Sequence, residues 1–230
     1  MPDPVDRTEQ GTPRPEGAPQ PQGAPRLEGT PPVLRPRRPE DFDQMYQGTP
    51  PWETGRPQSA FLALAEAGAI RGRVLDVGCG TGEHVLLAAS LGLEATGIDL
   101  AAAAIERARQ KAAQRGLQAR FVVGNVLDLS GLGGRFDTAL DSGLFHVLED
   151  DDRRAFLDGL GAVVPPGGRY FLLCFSDRQP GELGPRRITQ DELRAAFSDG
   201  WRVDSIEPVM IDTVFQRAAV HAWLAAITRT

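Results

Sequence analysis

Alternating strand and helix patterns over residues 73–175, a glycine turn joining the first pair, and two extended segments after residue 200 predict an α/β fold. The expected architecture is a doubly wound, mostly parallel sheet with an antiparallel C-terminal strand. Arg73–Val77 is a short apolar run ending at Gly78, as a buried strand would be, and Glu83–Leu91 has helical periodicity. Glu94–Ile98 is a second strand, and Ala101–Arg115 is composed of helix formers. Ala119–Val123, Phe136–Leu140 and Arg169–Phe175 read as further strands, with a helix at Asp151–Val163 between the last two. Trp201–Ile211 and Ala218–Ile227 are extended and joined by a short polar connection, so they must pair antiparallel.

Residues 1–40 are of another kind. They hold 11 of the chain's 19 prolines and a glycine every sixth residue, at Gly11, Gly17, Gly23 and Gly29. Almost no large apolar side chain is present to offset the entropy of ordering, which predicts a disordered tail ahead of one domain spanning 41–230.

Composition narrows the function. At 41% hydrophobic and 24% charged residues the chain is ordinary for a globular protein. No stretch approaches the 18 or so apolar residues of a membrane span, and no apolar leader opens the sequence, so a cytoplasmic protein without a membrane role is expected. A net charge of −6 argues against general nucleic-acid binding. Cys79 and Cys174 are too few for a disulfide framework and lack the spacing of a zinc site, and no metal is expected. Lys111 is the sole lysine among 25 basic residues, a bias attributed to base composition in the genome rather than to chemistry.

The sharpest motif is Val74-Leu-Asp-Val-Gly-Cys-Gly-Thr-Gly82, a strand running into a glycine turn before a helix. A dinucleotide fingerprint would place its third glycine one position later, where Glu83 stands. A carboxylate at that helix start would repel a pyrophosphate. Asp76, near the strand end, suits a cationic ligand group, and Asp99 after the second strand can accept both hydroxyls of a ribose. Asn125 after the third strand can accept from an adenine amino group while the Val126 N–H donates to the ring. Together they imply a ligand with an adenosine half and a cationic amino-acid half. Taken singly, Asp99 can instead cap the following helix and the glycines can serve the turn alone.

VLDVGCGTG, GIDL, GNVLDL, FDTALDSGLFHVL and PPGGRYFLL, in order across residues 70–175, resemble the successive motifs of class I S-adenosylmethionine-dependent methyltransferases. The resemblance implies a Rossmann-like, seven-stranded sheet and S-adenosyl-L-methionine as cofactor. It assigns Asp76, Gly78 and Gly80 to the methionine end, Asp99 to the ribose, and Asn125 and Val126 to the adenine. Leu100 beside Asp99, and Asp141 at the end of the fourth strand, complete the expected cofactor-binding set. Many relatives carry Asp at the position of Asn125.

Upstream, Met45-Tyr-Gln-Gly-Thr-Pro-Pro-Trp-Glu-Thr-Gly-Arg-Pro-Gln58 resembles the N-terminal region of halide, thiol and thiopurine methyltransferases and related bacterial small-molecule enzymes. Carried over, Trp52 covers the methionine moiety, where its ring also favours the sulfonium. A purely packing role for Trp52 stays open, and Tyr46 is a weaker candidate for the same wall.

For the acceptor, Asp141-Ser-Gly-Leu-Phe-His146 lacks the Asn/Asp-Pro-Pro-aromatic run of relatives that methylate base amino groups. His146 is the histidine placed to act as a general base toward a hydroxyl, or else it packs on the next helix. His84 and His221 are expected to be structural, as is Cys174. Ser176–Arg187, expected to shape the acceptor pocket, carries no motif. The expected activity is methylation of a small oxygen or sulfur acceptor, with a phenol, quinol or thiol as substrate in bacterial secondary metabolism or detoxification. A cofactor-binding regulatory module and a nicotinamide-dependent dehydrogenase are the alternatives.

Overall fold

The computed structural model describes residues 39–181, 184–214 and 220–230. The tail expected over residues 1–40 lies, apart from its last two residues, outside them.

Seven strands form one sheet: β1 (Val74–Val77), β2 (Ala95–Asp99), β3 (Arg120–Val123), β4 (Thr138–Ser142), β5 (Arg169–Phe175), β6 (Trp201–Ile211) and β7 (Val220–Arg229). Their order is β3-β2-β1-β4-β5-β7-β6. The first five strands are parallel, and β7 pairs antiparallel with both β5 and β6. The chain reverses direction across the sheet between β1 and β4, so their carboxyl ends open the crevice where ligands of such sheets bind.

Both faces of the sheet are apolar, as a parallel sheet requires. Along β5, Tyr170, Leu172 and Cys174 face one core, which α5 (Asp150–Val163) and α6 (Gln190–Ala196) cover through Phe156, Leu160 and Leu193. Phe171 and Leu173 face the other core. That core is covered by α2 (Ser59–Glu66), α3 (Glu83–Ser90) and α4 (Ala102–Arg115), which contribute Phe61, Val85, Leu86, Ile105 and Ala108. Cys174 is a buried core residue with a free thiol.

The predicted strands are all present, with shifted ends. β4 starts at Thr138 rather than Phe136 because the Phe136 N–H donates to Val163 O and not to a neighbouring strand. It runs on through Asp141 and Ser142, which pair with Leu172 and Leu173. Residues 218 and 219, expected to begin the last strand, lie outside the described residues. Three helices fall outside the elements read from periodicity: α1 (Pro39–Met45), α2 and α6. Of these, α6 has a sequence signal in Thr189-Gln-Asp-Glu192, where the Thr189 hydroxyl accepts the Glu192 N–H and the Glu192 carboxylate accepts the Thr189 N–H.

β6 is an edge strand of 11 residues, with a register break between Val203 and Ser205 and with Pro208 opposite Trp223. Among the described residues no helix is long and apolar enough to cross a membrane.

Candidate active site

The glycine turn follows β1 directly. Gly78, Gly80 and Gly82 all have positive φ, at 65°, 51° and 85°. At Gly80 the absence of a side chain is also a packing requirement, since a Cβ there would lie 2.6 Å from the Tyr46 hydroxyl. A Cβ at Gly82 would meet the Phe121 ring at 2.7 Å, so this third glycine lets α3 and α4 close on the sheet.

Asp76 points from β1 into this turn. It is 1% exposed, and neither carboxylate oxygen has a hydrogen-bond partner. The nearest basic atom is His84 Nδ1 at 3.8 Å, beyond hydrogen-bond range. Burial raises the pKa of the carboxyl, and His84 only partly opposes it. A buried acid with two empty oxygens is costly unless a donor or cation meets it. His84, expected to be structural, packs beside Asp76: its Nε2 accepts the Gln58 N–H at 3.2 Å, leaving the Nδ1 proton toward Asp76.

Asp99 ends β2, the next strand. Its Oδ2 accepts the Gly80 N–H and its Oδ1 accepts the Ala101 N–H, each at 2.8 Å. These bonds fix the carboxylate and leave one lone pair on each oxygen. Burial raises its pKa while the two N–H groups pull the other way. Asp99 does not cap α4, whose N-cap residue is Ala101. Leu100 is half-buried beside it. After β3, Asn125 is exposed and its Oδ1 accepts the Leu127 N–H at 2.9 Å, keeping a second lone pair; Val126 is buried beneath it. Asp76, Asp99, Asn125 and Val126 thus sit at the carboxyl ends of three adjacent strands, with the glycine turn between them.

Asp141, the last member of the expected set, lies buried at the end of β4. Its oxygens accept the Leu144 N–H at 2.8 Å, the Phe145 N–H at 3.1 Å and the Tyr170 hydroxyl at 2.7 Å. Fully buried, with its pKa pushed up to about 7 mainly by desolvation, it shapes the loop 143–146 from below. That loop lies on the glycine turn: a Cβ at Gly78 would sit 3.1 Å from Leu144 Cβ.

His146 closes the same loop. Its Nδ1 accepts the Phe175 N–H at 3.1 Å, so the ring proton of the neutral imidazole is on Nε2. Burial first, then the charges of Arg153 and Arg187, push its pKa down to about 3. With Nδ1 engaged, the ring atom left over is an N–H donor.

The segment 45–58 packs over the turn. Trp52 is 41% exposed, and its indole N–H donates to the Tyr46 hydroxyl at 3.0 Å, with the two rings edge-to-face. Buried Tyr46, ranked second from the sequence, is the residue that reaches Gly80. Glu53 fastens the segment. Its carboxylate accepts from the Thr81 hydroxyl and, at 3.1 Å, from Lys111 Nζ, which also donates to Thr81 Oγ1 at 2.6 Å and to Glu83 at 2.8 Å. Arg115 holds Glu83 through both carboxylate oxygens. The Glu83 charge, which would repel a pyrophosphate if bare, is therefore already paired, and the glycine spacing alone sets this turn apart from a dinucleotide fingerprint. At its far end the segment is tied to Asp212, whose O accepts from the Gln58 amide at 3.0 Å and whose N–H donates to Gln58 Oε1 at 2.8 Å, while its carboxylate accepts from Ser59 at the start of α2.

Comparisons with known proteins agree on one family. The methyltransferase domain family matches residues 74–168. A 2-heptyl-1-hydroxyquinolin-4(1H)-one methyltransferase of Mycobacteroides abscessus is 36% identical over 181 residues, covering 74% of this chain and 80% of that protein. A structure from work on the conversion of a disulfide bond into a thioacetal group during echinomycin biosynthesis is 41% identical, with a TM-score of 0.77 over 84% of this chain and 93% of that one. A magnesium protoporphyrin IX methyltransferase from Synechocystis with bound SAM shares the fold at 20% identity and a TM-score of 0.58, over 82% of this chain and 80% of its own.

Proposed function

Given that the chain belongs to the class I S-adenosylmethionine-dependent methyltransferases and methylates small molecules with S-adenosylmethionine, we propose that the accepting atom is an oxygen or a sulfur. The observation that carries this reading is the loop after β4, Ser142-Gly-Leu-Phe-His146, which presents a neutral imidazole N–H and no Pro-Pro-aromatic run for gripping an amine. Two relatives point the same way. One is named for a 1-hydroxyquinolone, and the other comes from work on sulfur chemistry.

The residues present fit the cofactor. In this reading the unpartnered Asp76 carboxylate meets the ammonium of the methionine half, and the remaining lone pairs of Asp99 accept the ribose hydroxyls. Asn125 and Val126 face the adenine edge, Leu100 flanks the adenosine, and Gly78 and Gly80 let the backbone approach closely. Tyr46 and Trp52 exclude water, and Trp52 offers its ring face to a cation. The cofactor supplies an electrophilic methyl group on a sulfonium with a neutral leaving group. The chain's task is then alignment and desolvation of the acceptor.

Asp99→Ala is expected to weaken cofactor binding by about 1.5–3 kcal/mol, the range for hydrogen bonds to a charged group. Calorimetry on the folded variant reads this directly, and unchanged affinity would remove Asp99 from the ribose. The acceptor reading is tested by incubating protein and S-adenosylmethionine with phenols, quinols, N-hydroxy heterocycles, thiols and amines, then counting methyl groups by mass spectrometry. Methylation of oxygen or sulfur compounds is expected. Transfer only to amines, or tight cofactor binding with no transfer, overturns the reading.

A further inference from the structure

Three buried acids, Asp76, Asp99 and Asp141, stand at or near the ends of the neighbouring strands β1, β2 and β4. Burial raises the pKa of each, and the Asp76 charge adds to the rise at the other two. Asp99 and Asp141 receive donors from the chain itself, whereas both Asp76 oxygens are without one. His84 works against the rise at Asp76.

The His84 ring is held on every side. It belongs to the second residue of α3 and is 8% exposed, with the buried Phe61 ring of α2 lying against it at 4.6 Å between centroids. Its Nε2 accepts the backbone N–H of Gln58, a buried residue whose side-chain amide is tied at both its oxygen and its nitrogen to the Asp212 backbone. A backbone N–H can only donate, so Nε2 must keep its lone pair and the proton of the neutral ring stays on Nδ1. The opposite tautomer would set N–H against N–H at Gln58 and lone pair against lone pair at Asp76. The Nδ1–H therefore faces Asp76 Oδ2 from 3.8 Å, about 1 Å too far for a hydrogen bond. An ammonium arriving at one Asp76 oxygen leaves the other bare in a buried place, which is costly until a donor meets it.

We propose that His84 is a positioning residue for the amino-acid end of the cofactor: its Nδ1–H closes onto the Asp76 oxygen that the ammonium leaves free, and the Gln58 N–H sets the tautomer this requires. The inference rests on the assignment of Asp76 to the ammonium and deepens it. The segment 45–58 then serves the site at two places, through Tyr46 over Gly80 and through Gln58 behind His84. No proton is transferred; the ring orients the carboxylate and holds it ready for a cation.

The test compares, by calorimetry on the full chain, S-adenosylhomocysteine with 5′-methylthioadenosine, which keeps the adenosine half and lacks the amino acid. The wild-type protein is expected to prefer the first. His84→Gln puts an amide at the level of Nε2, so it still accepts the Gln58 N–H and offers no donor in the place of Nδ1; His84→Asn does the reverse. The preference is expected to fall about ten- to a hundredfold in His84→Gln, the range for losing a hydrogen bond to a charged group, and largely to survive in His84→Asn. A ring that served packing alone would move both variants together. Nitrogen NMR of the wild-type histidines reads the tautomer without relying on any variant's folding, and the Nδ1–H proton signal of His84 is expected to move downfield when S-adenosylhomocysteine binds. A full preference in His84→Gln, an equal loss in both variants, or a ring protonated on Nε2 overturns the proposal. A wild-type protein that binds both compounds alike removes the ammonium from Asp76 and this inference with it. One that binds neither sinks the cofactor site as a whole.

Discussion

Asp76→Asn is expected to make the ligand-free protein more stable and the cofactor-bound protein far harder to form. The wild-type carboxylate is buried with both oxygens unpartnered. Replacing it by a neutral amide removes a buried charge and is expected to stabilise the empty protein by about 1–3 kcal/mol near pH 8. Against the cofactor the sign reverses: an ammonium facing the amide loses its counter-charge. Leaving a buried charge unpaired costs about 3–5 kcal/mol, roughly 10²–10⁴-fold in affinity. The pH dependence follows from the raised folded pKa of Asp76. Between the unfolded and folded pKa values the folded state holds a proton that the unfolded chain has lost, so stability falls as pH rises through that window. Asp99 is shifted the same way, and Asp141 as far as about 7, so the empty wild-type protein is expected to lose stability between about pH 4 and 7. The gain from Asp76→Asn should grow as pH rises from about 4 and shrink toward it. Thermal unfolding at both ends of that range, with calorimetric titration of S-adenosylmethionine, checks it. A variant less stable at pH 8, or one with wild-type affinity, contradicts the assignment of Asp76 to the methionine ammonium.

The second large effect is expected at Lys111. One compact ammonium with three donors meets Glu53, Thr81 and Glu83, on the segment 45–58, the glycine turn and the start of α3. Lys111→Met leaves Glu53 with the Thr81 hydroxyl and Glu83 with Arg115, and is expected to cost about 2–4 kcal/mol, somewhat less than breaking a fully buried ion pair because Lys111 is partly exposed. Lys111→Arg should recover little of this, because a planar fork cannot reach three acceptors converging on one point. Since Glu53 adjoins Trp52, the loss is expected to release the segment as well as to lower the melting temperature. Cleavage by a protease between Met45 and Gln58 should accelerate, and cofactor retention should fall. An equally stable Lys111→Met protein with an uncleaved segment and full cofactor retention would show that the network is incidental.

These two residues mark what the sequence made readable. Asp76 and Asp99 were legible because a strand, a glycine turn and a helix are local patterns, and residues at strand ends in a doubly wound sheet converge by topology alone. Lys111 stood out as the sole lysine, but its three partners lie 28 to 58 residues away, and no spacing rule connects them. The surroundings of Asp141 and His146 were illegible for the same reason. Their chemistry depends on lone pairs taken by Tyr170 and by the Phe175 N–H, each 29 residues further along the chain. A sequence shows that a carboxylate or an imidazole is present; only packing shows whether it is already spoken for. For Tyr46 and Trp52, the fold of the five residues between them decides which of the two reaches Gly80.

The long edge strand β6 has a consequence for the chain's behaviour in a crowded solution. Among the described residues, one backbone edge of its 11 residues has no neighbouring strand, which is a ready template for a strand from another molecule. The register break at Val203–Ser205 interrupts the flat run such a template needs, and Pro208 contributes no N–H to it. Arg202, Asp204 and Glu207 add charge along the same stretch. At the opposite edge, β3 is only four residues long and begins at Arg120. Both margins of the sheet are thus poor seeds for aggregation, and substituting Val for Pro208 would make the longer one a better seed without touching the active site.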